Sequence, residues 1–167
     1  MRAAGHTERM AGRHASGPDD PVQQRPVAEL RHRNDPEVVR RLLSTPARWA
    51  VVGLSANRAR VAHEIGGYLQ GLGMQVVPVH PRAEPAHDEP GYPRLADVPG
   101  PVDVVDVFVN SRSAGRIVDE AIAIGAKAVW MQVDVVDQAA AQRAKDAGLL
   151  VVMDTCPAIE APRLGVA

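Results

Sequence analysis

Five short runs of this chain are almost wholly apolar: Trp49–Gly53, Gln75–Val79, Val102–Val109, Ala126–Met131 and Leu149–Met153. Each has the length of a strand. Most lack the one-in-two alternation of a half-exposed strand, which marks strands covered on both faces. Between them apolar positions recur at helical spacing: Ile65, Tyr68, Leu69 and Leu72 before Gly73; Ile117, Val118, Ala121 and Ile122 before Gly125; Ala140, Ala144 and Ala147 before Gly148. A glycine closing each stretch predicts a repeated strand–helix plan, with Ser111 and Asp137 as N-caps of the later two helices. A shorter helix is expected from Asp35-Pro36, where Asp35 can cap, Pro36 suits the first turn, and Val38, Val39, Leu42 and Leu43 form a stripe. The segment His80–Pro101 breaks the plan. Its six prolines predict a loop holding no more than one helical turn, at Leu95–Val98.

These elements predict an α/β fold: a doubly wound parallel sheet of five strands in three α/β/α layers, in the order 3-2-1-4-5, over residues 36–164. In that order a crevice opens at the carboxyl ends of strands one and four, and ligand chemistry is expected there. Residues 1–35 contain six arginines, five acidic residues and three histidines without periodicity. They read as a disordered tail, with Met10 or a later codon the expected start.

Composition narrows the function. No apolar run approaches the roughly 18 residues of a membrane span, and the first residues lack a signal peptide's apolar stretch, so a cytoplasmic protein without membrane contact is expected. The single Cys156 excludes an internal disulfide or a cysteine-based zinc site. A net charge of -1 supplies no general attraction to nucleic acid, so a polyanionic ligand must be held by local charge.

Local charge is present. The loop Gly53–His63 enters a helix where such sheets hold a diphosphate, and Ser55, Asn57, Arg58 and Arg60 add donors to its backbone amides. The second and third glycines of a dinucleotide fingerprint are missing. After strand two, where a carboxylate would hold a free ribose diol, stand His80, Pro81 and Arg82, which suit a phosphorylated ribose better. Asn110 and Ser111 follow strand three, and Gln132 follows strand four. With Arg112 and Arg116, five arginines are expected along the crevice edge, a trap for a ligand with several phosphates. NADP competes with other phosphorylated nucleotides at this point.

The chain from about Trp49 to Leu164, about two thirds of the whole, resembles the stand-alone CoA-binding proteins. These are small Rossmann-like proteins similar to the CoA-binding domain of the succinyl-CoA synthetase alpha subunit. The resemblance is carried by Val51-Val-Gly-Leu-Ser55, Tyr92-Pro-Arg-Leu-Ala-Asp-Val-Pro99, Val102-Asp-Val-Val-Asp-Val-Phe108, Val118–Gln132 and Val152-Met-Asp-Thr-Cys-Pro-Ala-Ile-Glu160. It implies coenzyme A or an acyl-CoA as ligand, with Gly53 and Ser55 at the phosphate-cradling turn, Arg60 as the family's arginine, and Pro81 and Gln132 at the ends of strands two and four. The chain departs from the pattern at Arg58, Ala62, His80 and Asn110. It also departs at Asp134, which replaces a glycine and would repel a polyphosphate unless turned away or paired with an arginine.

Other residues carry plainer expectations. Cys156 reads as a small buried residue in a turn, His63 as a ligand-rim histidine, and His87-Asp88-Glu89 as part of a solvated loop. Asp103 and Asp106, three apart in a strand, fall on opposite faces and form no acid–base pair, although one is expected to bond nearby backbone. Trp130 is expected to pack a helix on the sheet. The chain ends without a synthetase's phosphohistidine domain, so non-catalytic CoA binding is the leading expectation, with no protein partner identified. The alternatives are a small NADP-dependent oxidoreductase and a degenerate interaction module.

Overall fold

A computed structural model describes residues 31–166. The element order is α1 (Pro36–Ser44), β1 (Arg48–Val52), α2 (Val61–Gly71), β2 (Gln75–Val79), a 3₁₀ turn (Leu95–Asp97), β3 (Val104–Val107), α3 (Ser111–Ala123), β4 (Ala128–Met131), α4 (Gln138–Asp146), β5 (Leu150–Val152) and α5 (Pro157–Arg163). All strand pairs are parallel. The apolar runs are continuous because both faces of the sheet are covered. Ala50, Val52, Val77, Val105, Val107, Val129 and Met131 face one core with α3 and α4. Trp49, Val51, Val76, Val104, Ala128 and Trp130 face the other with α1, α2 and α5. Trp49 and Trp130 are both fully buried, their ring centroids 5.7 Å apart. Trp130 donates its indole N–H to the Thr155 carbonyl at 2.9 Å. Burying side chains of this size contributes roughly 1.5–3 kcal/mol each.

The five-stranded doubly wound sheet is as expected, and its order is β2-β1-β3-β4-β5. The run at Val102–Val109 therefore lies beside β1, rather than outside β2 as its place in the 3-2-1-4-5 count implies. The position outside β2 is held by Tyr92 alone, in a single parallel bridge to Val79. Pro90 and Pro93 flank Tyr92 and lack the amide hydrogens a ladder needs, so no longer strand forms there. Counted as a vestigial third strand, Tyr92 restores 3-2-1-4-5 for the leading five places, with β5 beyond them. The winding reverses between β1 and β3, and the crevice opens at that point.

Helix ends follow local chemistry. Asp35 accepts from the Glu37 amide, Asn110 from Ser113 and Asp137 from Ala140. The cap of α3 is therefore Asn110 and not Ser111, one residue earlier than expected. Gly73, Gly125 and Gly148 close α2, α3 and α4 with φ of +88°, +73° and +86°. α5 was not anticipated, since seven residues containing Pro157 and Pro162 show little periodicity.

The tail expected over residues 1–35 lies outside the described residues as far as residue 30. Residues 31–35 are ordered. The Asn34 side chain exchanges two hydrogen bonds with the Met153 backbone, at 2.8 and 2.9 Å, and the His32 amide donates to Gln138 at 2.7 Å. The Pro-rich segment is also fastened, against the expectation of a solvated loop. His87 stacks on His63 with ring centroids 4.1 Å apart and bonds the His63 carbonyl through Nε2 at 2.6 Å. Its ring fills the space left by Gly66 and Gly67, where an added Cβ would meet it at 3.0 and 3.2 Å. No helix among the described residues is long and apolar enough to cross a membrane.

Candidate functional site

The turn after β1 is built by close approach. Gly53 has φ +107°, and a Cβ there would lie 2.6 Å from the Phe108 carbonyl oxygen at the end of β3. Only glycine lets the two strand ends come this near. The Gly53 amide donates to the Val79 carbonyl at 2.8 Å, which also ties the turn to β2.

The following loop is shaped by its own polar side chains. Ser55 is buried and its Oγ accepts from the Asn57 amide at 3.3 Å, while Asn57 Oδ1 accepts from Ala59 at 3.0 Å. Both oxygens accept, so these residues shape the loop while the Ser55 hydroxyl hydrogen and the Asn57 Nδ2 group keep their donor capacity. At the Ala56 amide the protein already places an anion. Glu84 accepts there at 3.2 Å through one carboxylate oxygen and pairs with Arg82 at 3.2 Å through the other.

The chain then enters α2 at Arg60. Unlike Asp35, Asn110 and Asp137, Arg60 supplies no side-chain cap. The amides of His63 and Glu64 turn back on the Arg60 carbonyl. Those of Val61 and Ala62, in the first turn, are left to a ligand or solvent at the positive end of the helix dipole.

Two clefts flank this entrance. The first, about 260 Å³, spans the ends of β1, β2 and β3 and is lined by Gly53, Arg60, His80, Pro81, Arg94, Phe108 and Arg116 among others. The second, about 730 Å³, lies at the ends of β3 and β4 and includes Val61, Asn110, Ser111, Gln132, Asp134, Cys156 and Ile159. Phe108 and Val109 border both.

The expected residues are thus divided. Gly53, Arg60, His80 and Pro81 meet in the first cleft; Asn110, Ser111 and Gln132 border the second. Of the five arginines expected at the edge, Arg60 and Arg116 line the first cleft, whereas Arg58, Arg82 and Arg112 line neither. Arg94 does line it and was missed. It lies in the Pro-rich segment, where no periodicity marks direction. Arg94 is held by Asp97 through two hydrogen bonds, and Arg116 pairs with Glu120. Arg60 forms no ion pair among the described residues.

Gln132 is almost fully buried and donates to Asp106 at 2.7 Å. The other oxygen of Asp106 has no partner, and burial pushes this carboxyl up to about 7 despite the Gln132 bond. Asp103, on the opposite face, accepts from the Arg48 amide at 2.9 Å and pairs with Lys127. These bonds hold its pKa below the ordinary carboxylate value. Burial pushes the Cys156 thiol up, as fits a buried turn residue. His63 is shifted down, chiefly by desolvation and then by His87 and Arg58.

Asp134 has φ +66°, a conformation for which glycine is usual and aspartate is among the tolerated alternatives. Its amide donates to Asp154 at 2.8 Å and its carbonyl accepts from Ser111 Oγ at 3.1 Å. It borders the second cleft and not the arginine-lined one.

The model of a CoA binding domain matches residues 47–162. YneT of Bacillus subtilis, described as uncharacterized, is 31% identical over 118 residues, covering 71% of this chain and 87% of YneT. A hypothetical protein from Pyrococcus horikoshii superposes with a TM-score of 0.73 at 34% identity, covering 78% of this chain and 92% of that one. A dinucleotide-forming acetyl-coenzyme A synthetase from Ca. Korarchaeum cryptofilum, solved with phosphate and ADP, gives a TM-score of 0.58 at 26% identity. The match covers 66% of this chain and 26% of the synthetase. A glycine-only contact between two strand ends, an uncapped helix beside an arginine and a family match across nearly the whole described domain agree: this chain belongs to the CoA binding domain family.

Proposed function

We propose that this protein binds coenzyme A or an acyl-CoA at the carboxyl ends of β1, β2 and β3, and that it acts by binding rather than by catalysis. The observation that carries the reading is the start of α2. Among α1 to α4 it alone lacks a side-chain cap, and Arg60 stands there without an ion pair among the described residues. A diphosphate at that helix end would meet first-turn amides and a guanidinium together. The Glu84 carboxylate on the Ala56 amide supports the same chemistry, since that loop already accepts an anionic oxygen. His80, Pro81 and Arg94 are grouped where a phosphorylated ribose would lie. The raised pKa of Cys156 leaves it a protonated thiol at neutral pH, which supports a role without nucleophilic chemistry.

Thermal shift and calorimetry with CoA, acetyl-CoA, NAD and NADP test the proposal. CoA and acetyl-CoA are expected to stabilise the protein, and Arg60→Ala to weaken CoA about 10- to 100-fold, the loss of a charge-assisted contact. Stabilisation by NADP without CoA would replace this reading with a nicotinamide one.

A further inference from the structure

No arginine or lysine lines the second cleft, and its chemistry differs from that of the first. Four large apolar side chains of the described domain stand exposed, and three of them, Val61 (62%), Val133 (46%) and Ile159 (56%), border this cleft. Val135, Phe108 and Val109 complete its apolar wall. Part of its polar surface is committed, while Asn110 Nδ2, Gln132 Oε1 and the exposed Asp134 carboxylate have no partner among the described residues. Asn110 caps Ser113, Ser111 Oγ bonds the Asp134 carbonyl and the Val136 amide, and Gln132 donates to Asp106. The Cys156 thiol is buried and Asp134 stands exposed at the rim. The free groups suit the two amides of the arm that joins a diphosphate to an acyl group, and the exposed apolar side chains beyond them suit hydrocarbon. The cleft shares Phe108 and Val109 with the arginine-lined one, and Val61 is the first residue of the uncapped helix. An apolar tail attached to an anionic head would therefore reach both.

Resting on the CoA reading above, we infer that the ligand is an acyl-CoA whose aliphatic acyl chain lies in the cleft between Val61, Val133 and Ile159. Free CoA is then the weaker ligand, and discrimination resides in the hydrocarbon. Calorimetry with CoA and with acetyl-, butanoyl-, hexanoyl- and octanoyl-CoA reads this directly. Affinity is expected to rise about two- to fourfold per added methylene, the gain for hydrocarbon that is partly to fully buried. Ile159→Asp, an exposed position on α5, is expected to keep the affinity for free CoA and lose the gain with chain length. CoA binding independent of chain length would overturn the inference while leaving the CoA reading intact. Absence of binding by any of the series would overturn both. Wild-type protein that sediments as a dimer, with Ile159→Asp monomeric, would assign the exposed patch to a second copy and overturn the acyl assignment.

Discussion

Asp106 is a carboxyl group sealed between β1 and β4, with Gln132 its side-chain partner and one oxygen unpaired. Burial raises its pKa, and only the Gln132 side chain and then the Val107 backbone act against that shift. Its pKa near 7 in the folded chain, against 3.8 as the ordinary value, sets a pH dependence of stability. Below about pH 4 both states hold the proton and stability from this group is complete. As pH rises toward 7 the unfolded chain ionises first, so stability falls, and above 7 the loss is full, on the order of 4 kcal/mol. Asp106→Asn keeps an acceptor for Gln132 and removes the titration. It is expected to be more stable than wild type by about 2–4 kcal/mol near pH 8 in urea unfolding. An unaltered pH profile would refute this. Gly53→Ala drives a methyl into the Phe108 carbonyl and forces a positive φ on alanine, so a loss of about 2–4 kcal/mol together with CoA binding is expected. Thermal melts and calorimetry would measure both, and a stable variant with intact binding would contradict the geometry. The sequence made Gly53 and Arg60 readable because a loop between a strand and a helix has few places to put them. Arg94 and the Asp106–Gln132 bond were hidden, since each depends on which strands become neighbours.

Elements were legible where local chemistry decides them. The terminal glycines of α2, α3 and α4, the caps Asp35 and Asp137 and the five strand cores can all be read from residue type and spacing. The cap of α3 shifted by one because Asn110 and Ser111 both qualify, and Ser111 is taken up by Asp134 and Val136 instead. The Pro-rich segment resisted reading because its order comes from α2. Gly66 and Gly67 clear a space and His87 fills it. His87→Ala should remove the ring stacking and the bond to the His63 carbonyl while leaving the hydrogen bond from Gln70 to the backbone of residue 87. Amide exchange in residues 83–91 is then expected to accelerate about tenfold, with a global loss near 1 kcal/mol. Unchanged exchange would mean that the segment is held by Tyr92 and Glu84 alone.

Across the whole domain, fold class followed from the apolar runs, but the placing of β3 did not. A connection containing six prolines carries no helix to show which side of β1 it returns to. Net charge proved equally uninformative, since a chain of -1 gathers Arg60, Arg94 and Arg116 around one cleft. CoA affinity is therefore expected to fall as salt rises from about 0.05 to 0.5 M, and to fall less steeply in Arg60→Ala. Calorimetry at several ionic strengths checks this, and equal slopes would remove Arg60 from phosphate contact. The end of β3 carries one further consequence. Phe108 and Val109 are a party wall between two compartments of unlike chemistry. Head and tail fragments supplied as separate molecules should therefore each sense whether the other is bound, with a coupling free energy between the two binding events that differs from zero.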